Sequence, residues 1–104
     1  MGKAGEELAA EHLRSLGYEV LARNFKCRRG EIDLVCRRAG DVSLVEVKTR
    51  AGKGHGTPVE AVDAGKQRAM AGTVAEYRAA TGWRGPIRVR LVAISLEVVD
   101  DVLA

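Results

Sequence analysis

Aromatic residues are scarce. Phe, Trp and Tyr together make up 4% of the 104 residues, so a core has to be assembled from Val, Leu, Ile and Ala. Cysteine is scarce too. Cys27 and Cys36 are too few for a disulfide framework. With no apolar stretch behind Lys3, a secretory leader is not expected, and the two thiols are expected to stay reduced. Their spacing relative to His12 and His55 matches no zinc pattern. No apolar run approaches the ~18 residues that span a bilayer. Glu6 stands where a myristoylation signal needs Ser or Thr. A cytoplasmic protein without a membrane partner is the expectation. Repeats, low-complexity segments and linkers are missing as well, so residues 1–104 read as a single domain.

What the chain does have is charge, 30% of its residues, with 17 Lys and Arg against 14 Asp and Glu. The distribution says more than the net +3. Residues 20–54 hold Arg23, Lys26, Arg28, Arg29, Arg37, Arg38, Lys48, Arg50 and Lys53 against Glu31, Asp33, Asp41 and Glu46. Such a segment either faces a polyanion or forms solvated strand edges and turns. Charge alone leaves both readings open.

Apolar spacing predicts a helix over Ala4–Leu16, with Leu8, Ala9, Leu13 and Leu16 on one face and Gly17 as its stop. Glu6 falls beside that face and Glu7 away from it. A strand is expected over Tyr18–Phe25, then a basic turn over Lys26–Gly30. Strands over Glu31–Arg37 and Val42–Thr49 follow, joined as an antiparallel hairpin by Arg38-Ala39-Gly40-Asp41. Strict alternation puts Ile32, Leu34 and Cys36 on one face, and Glu31, Asp33 and Val35 on the other. It also sets Leu44, Glu46 and Lys48 opposite Val45 and Val47. Residues 51–57 read as a glycine loop. A second helix runs from Pro58, or from Asp63 as N-cap, to Thr81, with Val59, Val62, Ala69, Met70, Val74 and Tyr77 as its stripe and Lys66 in the middle. A strand over Ile87–Ser95 and a fifth over Leu96–Val102 complete an α/β domain with a central mixed sheet.

Several charges sit inside apolar segments. Asp33 lies between Ile32 and Leu34, and Glu46 lies between Val45 and Val47 with Lys48 two residues on. Singly, each is explained by a strand with one wet face. As a set they can meet on one sheet face, with Glu6 approaching from the first helix and Lys66 from the second. Converging carboxylates repel unless a cation neutralises them. Oxygen-only ligands suit Mg²⁺ or Mn²⁺, and a lysine beside them can stabilise a negatively charged transition state. Carboxylates, a hard cation, a lysine and a basic surround add up to phosphodiester hydrolysis.

The Asp33…Glu46-Val47-Lys48 arrangement resembles the PD-(D/E)xK nuclease signature. A longer string occurs in order: Gly5-Glu6, Leu8-Ala9-Ala10, Gly17-Tyr18, Asn24, Gly30-Glu31-Ile32-Asp33-Leu34-Val35, Val45-Glu46-Val47-Lys48 with Arg50, Glu60-Ala61-Val62 and Lys66-Gln67. Together these resemble the YraN-like family of small bacterial proteins, itself similar to Holliday-junction resolvases. The resemblance implies a restriction-endonuclease-like α-β-β-β-α-β core. It implies Asp33 and Glu46 as metal ligands with Glu6 as a helix-borne acid, Lys48 as the catalytic lysine, Glu31 orienting a ligand or water, and Lys66 and Gln67 near the scissile phosphate. The motif's proline is absent, the family's aromatic ending is missing, and Arg90 stands where an aspartate is expected.

Three function classes compete. The first is a Mg²⁺- or Mn²⁺-dependent nuclease acting on DNA rather than RNA, with branched or structured substrates in view. The second is a nucleic-acid-binding module with a non-catalytic site, and the third is a structural or protein-binding role. The expected phosphate contacts are Arg23, Lys26, Arg28, Arg29, Arg50, Lys53, Lys66 and Gln67. A unit this small also favours a homodimer if two strands are to be cut symmetrically.

Overall fold

A computed structural model describes residues 3–28, 30–51, 64–96 and 98–103. The elements run α1 (Lys3–Ser15), β1 (Glu19–Cys27), β2 (Gly30–Arg38), β3 (Asp41–Ala51), α2 (Ala64–Thr81) and β4 (Ile87–Leu96). The sheet order is β1-β2-β3-β4, antiparallel up to β3 and parallel between β3 and β4. This is the α-β-β-β-α-β order expected. One helix packs on each face of the sheet. On the α1 face the core is Ala9, Ala10, Leu13, Tyr18, Leu34, Cys36, Val45 and Val47. On the α2 face it is Ile32, Val35, Val42, Leu44 and Tyr77.

The buried side of α1 is built from small residues, Gly5, Ala9 and Ala10, with Leu13. A flat stripe lets the helix lie close to the sheet. Leu8 and Leu16, expected on this face from their spacing, do not join it; they are 55% and 49% exposed. At roughly 100° per residue Leu8 falls about 60° outside the arc that Gly5, Ala9 and Leu13 define, and Leu16 lies beyond the last helical residue. Gly17 ends the helix at φ +91°, a conformation glycine adopts without a Cβ clash.

The basic turn is shorter than expected. Lys26 and Cys27 belong to β1, and Cys27 already pairs with Gly30. The β2–β3 turn is the expected one, with Arg38 opposite Asp41. Its central Ala39 and Gly40 both have positive φ, +53° and +84°, which matches the twist of a two-residue hairpin. The expected fifth strand is not formed: residues 98–103 carry no strand, and Asp101 is left-handed at φ +55°. Adjacent aspartates are poor strand formers. The glycine loop with Lys53, Arg29, the helix start at Pro58 and the Asp63 cap lie outside the described residues, as does the side chain of Lys66.

Strict alternation breaks at the β1 register shift between Val20 and Ala22, and again on both β1 and β2 beside the candidate site. Leu34 and Cys36 face α1, but Ile32 joins Val35 on the α2 face. The paired strand does the same, since Ala22 and Phe25 both pack on the α2 face although they are three residues apart. Between them Asn24 is left-handed at φ +53°. Both strands therefore exchange faces at the Asn24–Asp33 level. The β2–β3 ladder also stops here, at Leu34 opposite Val45. One step further the register would set Asp33 against Glu46, two like charges directly opposed.

Candidate functional site

Beyond the end of that ladder β2 and β3 part. The gap is bridged by a side chain: the Val47 backbone N–H donates to Asp33 Oδ2 at 2.7 Å. This bond holds Asp33 at the mouth of an open cleft lined by Ala4, Gly5, Asp33, Glu46, Val47, Lys48 and Thr49. Three of the sequence-predicted residues, Asp33, Glu46 and Lys48, thus meet in one place. All three side chains are half-buried. The close seating of Gly5 against the sheet carries its neighbour Glu6 to the same spot.

Carboxylate oxygens of Glu6, Glu31 and Asp33 all lie within 4.8 Å of one another. Glu31 reaches this side because β2 exchanges faces at Asp33, which strict alternation does not anticipate. Asn24 fastens the group. Its Nδ2 donates to Glu6 Oε1 at 3.1 Å and to Glu31 Oε1 at 2.7 Å. The Lys26 ammonium donates to Glu31 Oε2 at 2.5 Å.

The three carboxylates are not equivalent. Lys26 and Asn24, by hydrogen bonding, hold Glu31 below its ordinary range, so it stays an anion. Burial pushes Asp33 up. The Val47 N–H opposes that push, and the charges of Glu6, Glu46 and Glu31 add to it. A nearby cation would relieve that push at Asp33. The donor set is all oxygen, on one strand and a helix, which suits a hard divalent ion better than zinc.

The predicted phosphate contacts divide. Arg23 is exposed, but its Nη1 lies 2.6 Å from Glu7 Oε2, and Lys26 is engaged by Glu31. Both charges are already compensated. The Arg28 backbone N–H donates to Glu76 Oε1 at 2.6 Å, which ties the turn to α2 and leaves the Arg28 side chain exposed. Arg50 is half-buried and Gln67 exposed, both with partners of their own. Lys66 lies in the first turn of α2. Arg90, at the expected aspartate position, donates from Nε to Ser43 Oγ at 3.0 Å on the α1 face, away from the cleft. Asn24 is the site residue that residue-by-residue reasoning missed. Its signal was present: an asparagine inside a strand is a poor β-former that tolerates left-handed backbone.

Sequence comparison gives the family. The family described as "Uncharacterised protein family UPF0102" matches residues 5–95. A UPF0102 protein of Clavibacter michiganensis is 48% identical over 97 residues, covering 90% of this chain and 80% of its own length. One from Symbiobacterium thermophilum is 49% identical over 86 residues, covering 83% of this chain and 73% of its own. One from Herpetosiphon aurantiacus is 37% identical over 101 residues, 92% of this chain and 82% of its own. The chain belongs to the UPF0102 family. This is the placement that the Gly30–Val35 and Val45–Lys48 strings indicated, and the matched region contains Glu6, Glu31, Asp33, Glu46 and Lys48.

Proposed function

We propose that this UPF0102 protein is a divalent-metal-dependent nuclease that hydrolyses phosphodiester bonds in branched or otherwise structured DNA. The observation that carries the reading is the convergence of Glu6, Glu31 and Asp33 within 4.8 Å, beside a cleft that Glu46 and Lys48 also line. Asp33 and Glu46 would hold a Mg²⁺ or Mn²⁺ ion with Glu6, and Glu31 would complete or orient the set. When bound, the ion supplies Lewis acidity toward a phosphate oxygen and toward the attacking water.

The protein's own groups have separable tasks. Asp33 keeps one oxygen on the Val47 N–H, which leaves Oδ1 for the ion. Glu31 has low proton affinity and suits a ligand or orienting role better than that of a base. Lys48 supports the charge that builds on the phosphate in the transition state. The exposed Arg28 at the β1–β2 turn and the open cleft where β2 and β3 part would receive a polyanion.

A cleavage panel tests the reading: duplex, flap, four-way junction and structured RNA, each with Mg²⁺ and with Mn²⁺. Metal-dependent cutting of a DNA junction is expected. Lys48→Ala should lower the single-turnover rate by about 10²-fold or more while leaving substrate affinity nearly unchanged, because its effect is realised in the transition state. Binding without cleavage on every substrate would move the chain to a non-catalytic nucleic-acid-binding role.

A further inference from the structure

Two guanidinium groups lie over the ring of Tyr18. Arg38 Cζ lies 4.4 Å from the ring centroid and Arg90 Cζ lies 5.7 Å from it. Each is anchored once more, by a neutral partner. Arg38 Nη1 donates to the Leu16 carbonyl at 2.8 Å, and Arg90 Nε donates to the hydroxyl of Ser43 at 3.0 Å. Nearby arginines on the same strands are treated differently. Arg37 pairs with Glu19 at 3.3 Å and Arg88 with Asp41 at 3.4 Å. Among the described residues, no carboxylate pairs with Arg38 or Arg90. Two positive charges are thus held beside one nearly buried ring with no anion between them.

We propose that Arg38 and Arg90 form a phosphate-binding site for the nucleic-acid backbone, separate from the acidic cleft; the assignment of the ligand rests on the proposed nuclease reading. A guanidinium offers five N–H donors, and the neutral anchors use only one on each. The remaining donors match a phosphate's oxygens, and the anchored, stacked side chains have little rotamer freedom left to lose on binding. Position supports the assignment. Arg38 follows the Leu34-Cys36 parity and Arg90 pairs with Val45, so both lie on the α1 face, where Glu6 also lies. Arg38 is five residues along β2 from Asp33, about 17 Å at 3.3 Å per residue. The pair would hold an arm of the substrate at the C-terminal end of α1 while another phosphate occupies the cleft at its N-terminal end.

The test is the salt dependence of binding to a labelled 30-base-pair DNA duplex, read by fluorescence anisotropy without divalent metal. Arg38→Gln and Arg90→Gln together should reduce the magnitude of the log K against log salt slope by about 1.8, and each alone by about 0.9. Arg37→Gln, which removes a carboxylate-paired neighbour, should leave the slope unchanged. Should the double variant fail to fold, the single variants carry the same expectation. A wild-type slope in the folded variants would overturn the site while leaving the nuclease reading intact, and so would an equal loss in Arg37→Gln. Failure of the wild-type protein itself to bind duplex would also overturn the site, since its ligand is the duplex backbone, and the junction-cleavage panel would still decide the nuclease reading.

Discussion

Asn24 shows how one residue serves backbone and chemistry together. Its left-handed φ of +53° lets β1 exchange faces, and its amide reaches Glu6 and Glu31. Two substitutions separate these roles. Glycine accepts the same backbone at no steric cost but lacks the amide. Alanine loses the amide and also carries the left-handed penalty of about 1–2 kcal/mol. Asn24→Ala should therefore be less stable than Asn24→Gly by about 1 kcal/mol or more, measured by urea unfolding. Equal stability would mean that the positive φ is not a constraint at this position. The alternation pattern gave no hint of this exchange. A single left-handed residue leaves apolar spacing almost untouched, yet it moved Ile32 to one face and Glu31 to the other.

At the scale of elements, the two hairpins and the α1–sheet contact do most of the positioning. The β2–β3 turn uses Ala39 at φ +53°, where asparagine or glycine is the usual choice. Ala39→Asn should raise stability by about 0.5–1 kcal/mol, since asparagine adopts the left-handed region more readily. Thermal unfolding would show this as a rise of several degrees in Tm, and an unchanged or lower Tm would contradict it. Element order and type were legible because each element carries its own period: 3.6 in the helices, two in β3. The side of α1 was only partly legible. Large leucines dominate a spacing argument, but the sheet selected the small residues Gly5, Ala9 and Ala10, which permit close approach. The edge beyond β4 was misread because Val98, Val99 and Val102 look strand-like, while Asp100 and Asp101 break the run.

Across the whole molecule, the candidate site follows from where the sheet is interrupted. A continuous β2–β3 ladder would oppose Asp33 to Glu46. Instead the strands part, Asp33 bonds to Val47, and the opening collects carboxylates from α1, β2 and β3 with Lys48. The meeting of Asp33, Glu46 and Lys48 at one cleft was legible from charges set in apolar strands, and the approach of Glu6 from its place beside the buried face of the first helix. The full membership of Glu31 was not, because it depends on the exchange of faces. The cluster of like charges is the central claim, and cation binding tests it most directly. Isothermal titration of Mn²⁺ into the wild-type protein should show binding that weakens at least tenfold in Asp33→Asn, whose amide keeps an acceptor for Val47 but removes the charge. Equal binding by the two proteins, or none by the wild type, would contradict a metal site at this cleft.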